Sequence, residues 1–435
     1  MLKKLHVENF KAHRETNLDL AAITVLIGPN NSGKSSIFQA LIALRQASLR
    51  GSNTMFESTR RPPTSEDPQF VRSLSKIIDI GGFKDVVRRG EDVIRLGMIG
   101  TIDQGNPFYP NLPTEVSFAM DVRNNSLSLH KGQIKCPPAE IEWVWYKSSP
   151  DKKVSVRVDS FVLNFSAVDS FHLIQLGGYE TPAGSPSDRA DDKVTRAGEY
   201  LAAAPVRLLN SLHPVHPLRG FEEWGYPLPE EKPYSLDRPT LGERAISLAG
   251  MLAYDRDLEE RVSQRLTELL SIRIKVRLVE GKRVTMWAEP SGSKGADTLF
   301  VNEGTGANQL PFILIPVALT PRNQTVLLSE PEAHLHPKGQ CELMRMLLTV
   351  AKKENIQFFI ETHSEHVLHV ILNAVARGDW AKDDVALHYF ENVEGTAQVK
   401  RLGINEHGQV DGGLPGFFDQ SLAELTEYLG ALGKR

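Results

Sequence analysis

Residues 28–35 have the sequence GPNNSGKS, which matches the phosphate-loop pattern GxxxxGK[ST]. The apolar run of residues 22–27 before it is typical of a buried strand, and the apolar spacing of residues 34–48 after it is typical of a helix. In this order of strand, loop and helix, backbone N–H groups point at phosphate oxygens and the helix N-terminus adds partial positive charge. The stretch therefore predicts an α/β fold with a phosphate cradle.

The residue types in this loop indicate which phosphate compound it takes. Lys34 is placed to reach the β- and γ-phosphates of a nucleoside triphosphate, and the Ser35 hydroxyl is placed to ligate Mg²⁺. The base-reading motif NKxD of GTPases does not occur, so we expect ATP and Mg²⁺ as the cofactors. The predicted nucleotide-contacting residues of the loop are Gly28, Asn30, Asn31, Ser32, Gly33, Lys34, Ser35 and Ser36.

Two later stretches carry polar groups at the end of an apolar run. Residues 326–332, VLLSEPE, end in acids, and residues 358–364, FFIETHS, deliver a histidine. The carboxyl ends of parallel strands meet at the edge of the sheet where a phosphate loop lies. We therefore expect both stretches to point functional groups at the nucleotide.

Composition excludes several other classes of protein. The chain has 435 residues, of which 41% are hydrophobic and 24% charged, and its net charge is −4, so it is not a polycation. Its two cysteines, Cys136 and Cys341, form no CxxC motif, and no apolar run approaches about 18 residues. We expect a cytoplasmic protein of two or three domains, without a signal peptide, disulfide framework or membrane contact.

The pattern along the chain divides it into three predicted parts. Residues 1–95 form the N-terminal part of an ATP-binding head, residues 96–289 a β-rich and helical insertion, and residues 290–435 the C-terminal part of the head. Within the insertion, residues 181–192 are predicted to be a flexible linker, and the proline-rich residues 205–240 are predicted to be irregular.

Residues 272–278, IRIKVRL, alternate apolar and basic side chains and predict a strand. Arg273, Lys275 and Arg277 would form one positive row on such a strand. The row binds the phosphate backbone of DNA or RNA in one interpretation and is a solvated sheet face in the other. The apolar positions predicted to be buried are Ile272, Ile274, Val276 and Leu278.

A cluster of histidines allows a second interpretation, as a transition-metal site. The HxH spacing of His334 and His336 can place two imidazoles near one ion. The phosphate-site motifs already account for two of the three histidine clusters, so they are favoured over a metal site. The histidines concerned are His334, His336, His363, His366 and His369.

Taken together, the motifs GPNNSGKSS, LLSEPEAHLHP and ETHSEH resemble those of the ABC-type ATPase heads of the overcoming-lysogenization-defect (OLD) group, which is related to the RecF, Rad50 and SMC heads. Residues 5–11, LHVENFK, look like the first strand of that group. Residues 302–311, NEGTGANQLP, look like its ABC signature, which caps the γ-phosphate bound by the opposite protomer. The resemblance implies an ABC-ATPase head fold that works as a homodimer or higher homo-oligomer, with nucleotide contacts from Gly304, Gly306, Asn308 and Gln309.

The same resemblance implies roles for residues after the acidic strand. Glu330 would polarise the attacking water, and His363 would sense the γ-phosphate, as the switch histidine of ABC enzymes does. The family usually has two consecutive acids before the proline, but here Ser329 occupies the first position. The candidate Mg²⁺ ligands are therefore Ser35, Ser329 and Glu330, and hydrolysis is expected to be slow.

The function that the resemblance implies is an ATP-driven switch that controls a separate effector protein, such as a nuclease, in anti-phage defence. A fused Toprim nuclease is not expected, because about 70 residues follow His363. Two alternatives stay open at this point. One is a RecF-like DNA-maintenance ATPase that binds DNA directly, and the other is a nucleotide-bound scaffold with negligible turnover.

Overall fold

The computed structural model describes residues 1–50, 83–102, 113–123, 126–136, 139–144, 153–158, 161–168, 175–179, 203–234, 240–292, 295–414 and 426–428. The predicted linker at residues 181–192 lies outside these ranges. In the described ranges, every helix is too short or too polar to cross a membrane.

The strands are β1 (Leu2–Phe10), β2 (His13–Asp19), β3 (Ile23–Ile27), β4 (Ile94–Ile102), β5 (Thr114–Arg123), β6 (Ser126–Cys136), β7 (Ala139–Val144), β8 (Lys153–Val158), β9 (Phe161–Val168), β10 (Gln175–Tyr179), β11 (Leu212–Val215), β12 (Tyr226–Pro227), β13 (Ile272–Val279), β14 (Arg283–Pro290), β15 (Thr298–Leu299), β16 (Thr325–Ser329), β17 (Gln357–Glu361), β18 (Val385–Val393) and β19 (Thr396–Leu402). The helices are α1 (Lys34–Arg50), α2 (Phe83–Val86), α3 (Ala204–Asn210), α4 (Leu241–Tyr254), α5 (Arg256–Leu270), α6 (Thr305–Gln309), α7 (Pro311–Leu319), α8 (Pro337–Glu354) and α9 (Glu365–Ala376), with short 3₁₀ turns at Phe300–Asn302 and Lys382–Asp384.

The central sheet joins both ends of the chain. Its strand order is β11-β16-β17-β3-β18-β19, and all neighbours are parallel except the last pair. Strands β3 and β17 are buried along their whole length, as expected for parallel strands covered on both faces. The N-terminal strand β3 lies between two strands from the C-terminal part, so neither part forms this sheet alone.

Two hydrophobic clusters cover the two faces of the central sheet. On one face, helix α1 packs between Leu327 and Phe359 of the central sheet and the antiparallel sheet β10-β9-β8-β7-β6-β5-β4-β1-β2. Phe38 of α1 stacks on Phe359 with ring centroids 5.0 Å apart. On the other face, helices α4, α5, α7, α8 and α9 pack together with the small sheet of β12, β14, β13 and β15.

The predicted fold class is confirmed, because a mixed α/β head is built from the N- and C-terminal segments. The three-part domain division stays a prediction. Its boundary at residue 95 falls inside β4, and β11, from the predicted insertion, pairs with β16 in the central sheet. The prediction that residues 205–240 are irregular is wrong in part, since helix α3 and strands β11 and β12 lie there.

Candidate nucleotide site

The loop between β3 and α1 has the backbone conformation that a phosphate cradle requires. Gly28 has φ 139°, and a Cβ there would lie 2.2 Å from the Phe390 carbonyl oxygen. Gly33 has φ 102°, and a Cβ there would lie 3.0 Å from His13 Nε2. Residues with a side chain rarely adopt these backbone angles, so both positions require glycine. The His13 ring packs against the loop, with its Nε2 3.0 Å from the Gly33 carbonyl oxygen.

Lys34 lies inside the loop and is only 3% exposed. Its ammonium donates to the carbonyl oxygens of Gly28 at 2.9 Å and Pro29 at 2.7 Å. Burial lowers the pKa of Lys34, while the nearby carboxylates of Glu361 and Glu330 oppose that shift. The Lys34 ammonium therefore lies within the loop, where a phosphate oxygen would replace a carbonyl oxygen as its hydrogen-bond partner.

A cavity of about 450 Å³ opens over this loop. Its lining brings together three separate predictions from the sequence: the phosphate loop, Glu330 and His363. It also includes Lys11, Ala12 and Gln39, which the sequence analysis did not identify. The residues that line it are Lys11, Ala12, Asn30, Asn31, Ser32, Gly33, Lys34, Ser35, Ser36, Gln39, Glu330 and His363.

A buried carboxylate that the sequence analysis missed lies beside this cavity. Glu361, the last residue of β17, is 1% exposed. The Ser35 hydroxyl donates to Oε1 of this carboxylate, and the Ser329 hydroxyl donates to Oε2 at 2.8 Å. Burial raises the pKa of Glu361. The one signal for it in the sequence is an acid inside the apolar stretch FFIETHS.

Glu330 has an unusual backbone conformation, with φ 44°. Its N–H donates to the Glu361 carbonyl oxygen at 2.8 Å. Arg219 holds the carbonyls on either side of the turn, because its guanidinium donates to the Ser329 oxygen at 3.0 Å and the Glu330 oxygen at 2.6 Å. Burial lowers the pKa of Arg219 to about 10, which leaves it charged at neutral pH.

His363 faces Glu330 across the cavity, with its Nε2 3.8 Å from Glu330 Oε1. Burial lowers the pKa of His363, the positive charge of Lys34 lowers it further, and the nearby carboxylate of Glu330 opposes the shift. Its backbone N–H donates to Glu332 Oε1 at 3.2 Å. Glu332 is 5% exposed and also accepts from Thr362, so it anchors the turn that carries His363.

The predicted signature segment lies apart from this cavity. Gly304 precedes helix α6 and is exposed, and Gly306 packs against the His334 carbonyl oxygen. Among the described residues that line the cavity, none comes from residues 304–309. The capping of a second copy's nucleotide by this segment stays a prediction.

Two of the predicted nucleotide contacts are engaged elsewhere. Asn308 accepts from the Phe221 N–H at 2.8 Å and donates to the Phe221 oxygen at 3.0 Å. Gln309 is 2% exposed and donates to the Ala333 carbonyl oxygen. Both amides therefore bond within the chain itself, and their predicted contact with the nucleotide of a second copy stays a prediction. Gly28, too, shapes the loop without lining the cavity.

Each side chain of the basic row on β13 has an acidic partner. Arg273 contacts Glu260 at 2.5 Å, and Lys275 lies 3.7 Å from Glu289. Arg277 pairs with Asp297 and lies over the Trp287 ring at 4.6 Å. The predicted burial of Leu278 is wrong, since this side chain is 54% exposed at the end of the hairpin.

The histidine cluster forms no metal site in the structure. Across the residues described, no three histidine, cysteine or carboxylate side chains are grouped closely enough to hold a metal ion. His334 and His336 are exposed, and His336 Nδ1 accepts from the Lys338 N–H at the start of α8. A larger hollow of about 620 Å³ on the antiparallel sheet, near Gly97 and Gly132, contains none of the predicted site residues.

A phosphate cradle after a buried strand, with acids and a histidine at the ends of neighbouring parallel strands, defines a P-loop ATPase. The AAA ATPase domain family matches residues 1–156 and 252–368, more than half of the chain, and the chain belongs to that family. Residues 381–427 match a second family, described as a protein of unknown function, DUF3696.

Individual relatives are similar over different extents. The chain is 50% identical over 42 residues to a DNA double-strand break repair Rad50 ATPase from Methanococcus maripaludis, a match that spans 9% of this chain and 4% of that protein. The SMC head domain from Thermotoga maritima is similar in structure at 14% identity, with a TM-score of 0.41, over 93% of this chain and 99% of that one. An Smc head domain from Pyrococcus furiosus, bound to the C-terminal domain of ScpA, is similar at 12% identity, with a TM-score of 0.41, over 98% and 99%.

Proposed function

We propose that this chain is an ATP-binding and ATP-hydrolysing molecular switch that closes head to head with a second copy around Mg²⁺ and ATP. The observation that carries this proposal is the single cavity of about 450 Å³ that Lys34, Ser35, Glu330 and His363 line together. These four residues come from three segments that are far apart in sequence, and each has the chemistry that one part of the reaction requires.

The chain's own groups divide the work of hydrolysis. The loop N–H groups and Lys34 bind the β- and γ-phosphates. Glu330 orients a water molecule and accepts its proton as the water oxygen bonds to the γ-phosphorus and the bond to the ADP oxygen breaks. His363 donates a hydrogen bond to the γ-phosphate and reports its presence through the turn anchored by Glu332.

The oxygen donors beside the loop fit Mg²⁺. Ser35, Ser329 and Glu361 bring two hydroxyls and a carboxylate together, which are the hard ligands that this ion prefers. When bound, Mg²⁺ neutralises negative charge on the phosphates. Since Ser329 brings no charge, we expect slower turnover than in a head with two consecutive acids.

The wider biological role follows from the OLD-like motifs. We infer that ATP brings two heads together, with the signature segment of each capping the nucleotide of the other, and that the closed state controls a separate effector protein. Defence against phage, in the cytoplasm, is the role that the motif resemblance favours. The acidic partners of Arg273, Lys275 and Arg277 weigh against direct nucleic-acid binding through that row.

Two substitutions test the proposed activity. Lys34→Ala removes the buried ammonium, and we expect ATP affinity to fall by about 30-fold or more. Glu330→Gln keeps the shape but removes the base, so we expect ATP binding to persist while kcat falls by about 100-fold or more. Binding is measured by calorimetry and turnover by phosphate release. Undiminished hydrolysis in the Glu330 variant would remove Glu330 from the mechanism.

The same assay separates the switch from a scaffold. A wild-type protein that binds ATP but releases no phosphate above the level of the Glu330→Gln variant would be a nucleotide-bound scaffold. Phosphate release that depends on Glu330 identifies an ATPase.

A further inference from the structure

We propose that Glu361, at the end of β17, supplies the carboxylate of the Mg²⁺ site, in place of an acid at position 329 at the end of the neighbouring strand β16. The proposal rests on the proposed ATPase function and concerns the same cavity. It assigns the charged member of the metal site to a residue outside the acidic motif.

The register of the sheet makes this exchange geometrically simple. Ser329 and Glu361 are paired residues on the adjacent parallel strands β16 and β17. Ser329 stands where the resembling heads carry an acid, and its partner across the strand pair carries the acid instead. A glutamate has one methylene more than an aspartate, which lets its carboxylate extend from β17 toward the phosphate loop.

The hydrogen bonds of Glu361 identify where its charge acts. One carboxylate oxygen accepts from Ser35, the loop hydroxyl that is placed to ligate Mg²⁺, and the other accepts from Ser329 at 2.8 Å. The same carboxylate therefore contacts both hydroxyls predicted at the metal site. Glu330, in contrast, points across the cavity toward His363.

Electrostatics gives Glu361 a reason to be there. At 1% exposure, an ionised carboxylate loses most of its hydration, and a divalent cation held nearby offsets that loss. The ammonium of Lys34 is bonded to loop oxygens at 2.7 and 2.9 Å, so it does not form a direct ion pair with Glu361. The two carboxylates therefore have separate roles. Glu361 holds the cation, and Glu330 orients the water.

The test compares ATP affinity with Mg²⁺ and with EDTA, using a fluorescent ATP analogue. Three proteins are measured: the wild type, Glu361→Gln, and the double variant Ser329→Asp with Glu361→Ser, which moves the acid to β16. We expect Mg²⁺ to raise the affinity of the wild type by about tenfold or more. In Glu361→Gln the gain in affinity from Mg²⁺ should fall to about threefold or less. The double variant should regain it.

A second readout is the electron paramagnetic resonance spectrum of Mn²⁺ with ADP. With Glu361→Gln, the spectrum should remain that of free Mn²⁺·ADP. With the wild type and the double variant, the spectrum should change to that of protein-bound Mn²⁺. An unchanged gain from Mg²⁺ in Glu361→Gln overturns the proposal. If Glu361→Gln does not fold, a double variant that binds ATP without any gain from Mg²⁺ also overturns it. A wild type that fails to bind ATP under both conditions would instead contradict the proposed function.

Discussion

The left-handed conformation of Glu330, the residue after β16, is held by a side chain from another segment of the chain. A non-glycine residue with positive φ costs about 1 to 3 kcal/mol unless its surroundings impose it. Arg219 imposes it here, because two of its N–H groups bond the carbonyls of Ser329 and Glu330. We therefore expect Arg219 to act on the proposed reaction through the position of Glu330, since it is not among the described residues that line the cavity.

Replacing Arg219 should therefore affect turnover more than binding. In Arg219→Ala we expect kcat to fall by about tenfold or more, because Glu330 loses its fixed orientation, with ATP affinity within about threefold of the wild type. Arg219→Lys is the matched control: it keeps the charge but cannot bond both carbonyls in a fixed fork, so it should remain impaired. Full activity in the lysine variant would show that only the charge matters.

His388 provides a prediction for pH. The residue is 1% exposed, its Nε2 lies 2.8 Å from the Asp19 carbonyl oxygen, and burial lowers its pKa from the ordinary value of 6.5. The unfolded imidazole takes up a proton near pH 6.5, but the folded one takes it up at lower pH. The buried neutral His388 therefore contributes stability above pH 6.5, and this contribution is lost as the pH falls below 6.5.

The variant His388→Gln isolates this contribution. Urea unfolding at pH 7.5 and at pH 5.5 gives the loss of unfolding free energy for each protein. We expect the loss to be smaller in the variant, by up to about 1.4 kcal/mol for each pH unit below 6.5. Equal losses in the two proteins would show that His388 does not contribute. The raised pKa of buried Glu332 and Glu361 acts in the opposite direction and is common to both proteins.

Among elements, the connector of residues 216–221 joins two parts of the proposed reaction centre. Arg219 bonds the end of β16, and Phe221 bonds Asn308 of helix α6 through two hydrogen bonds. We therefore expect a displacement at the end of β16 to be passed to the predicted signature segment through this connector. We therefore expect Asn308 to couple the two segments, in addition to the nucleotide contact predicted from the sequence.

Asn308→Ala should uncouple the two parts. Loss of both hydrogen bonds is expected to cost about 1 to 3 kcal/mol of stability, and to weaken ATP-dependent association while ATP binding to the single chain persists. Asn308→Asp, which keeps the acceptor for the Phe221 N–H, should be affected less. Chemical unfolding measures the loss of stability, and light scattering measures the ATP-dependent association. Wild-type association in Asn308→Ala would contradict the coupling.

The sequence predicts a structural element when the pattern that defines the element lies within its own residues. The phosphate loop and the strands at residues 272–279 and 325–329 could be predicted, because glycine spacing and apolar runs are local signals. β11 could not, since its four residues, LHPV, become a strand only by pairing with β16. Glu361 could not be identified for a related reason: its proposed role depends on Ser329 on the next strand, a neighbour that only the sheet register supplies.

Over the whole molecule, the site is assembled by the order of strands. The phosphate loop follows β3, which lies next to β17, and β17 lies next to β16, so Glu361 and Glu330 approach the loop from successive positions. The sequence motifs could indicate that these groups share one edge. The distances among them, and the partners of the basic row, depend on packing between segments that are far apart in sequence.

The exposed start of helix α6 carries the prediction that belongs to the whole assembly. Gly304 has φ −57°, and a Cβ placed there meets nothing within 4 Å, so the fold should tolerate Gly304→Glu. In a head-to-head dimer this new carboxylate would face the γ-phosphate bound by the other copy. Repulsion between the two should prevent closure and leave each chain able to bind ATP.

The experiment uses the Glu330→Gln background, in which bound ATP persists, and measures mass by light scattering with and without Mg²⁺ and ATP. The parent should change from monomer to dimer when nucleotide is added, and the chain that also carries Gly304→Glu should stay monomeric. Gly242→Glu is the matched control, because a Cβ at Gly242 also meets nothing within 4 Å and this position lies in helix α4, away from the signature segment. A dimer that forms equally well with Gly304→Glu would mean that the signature segment does not cap the partner's nucleotide, and the chain would then act through a different contact between its copies.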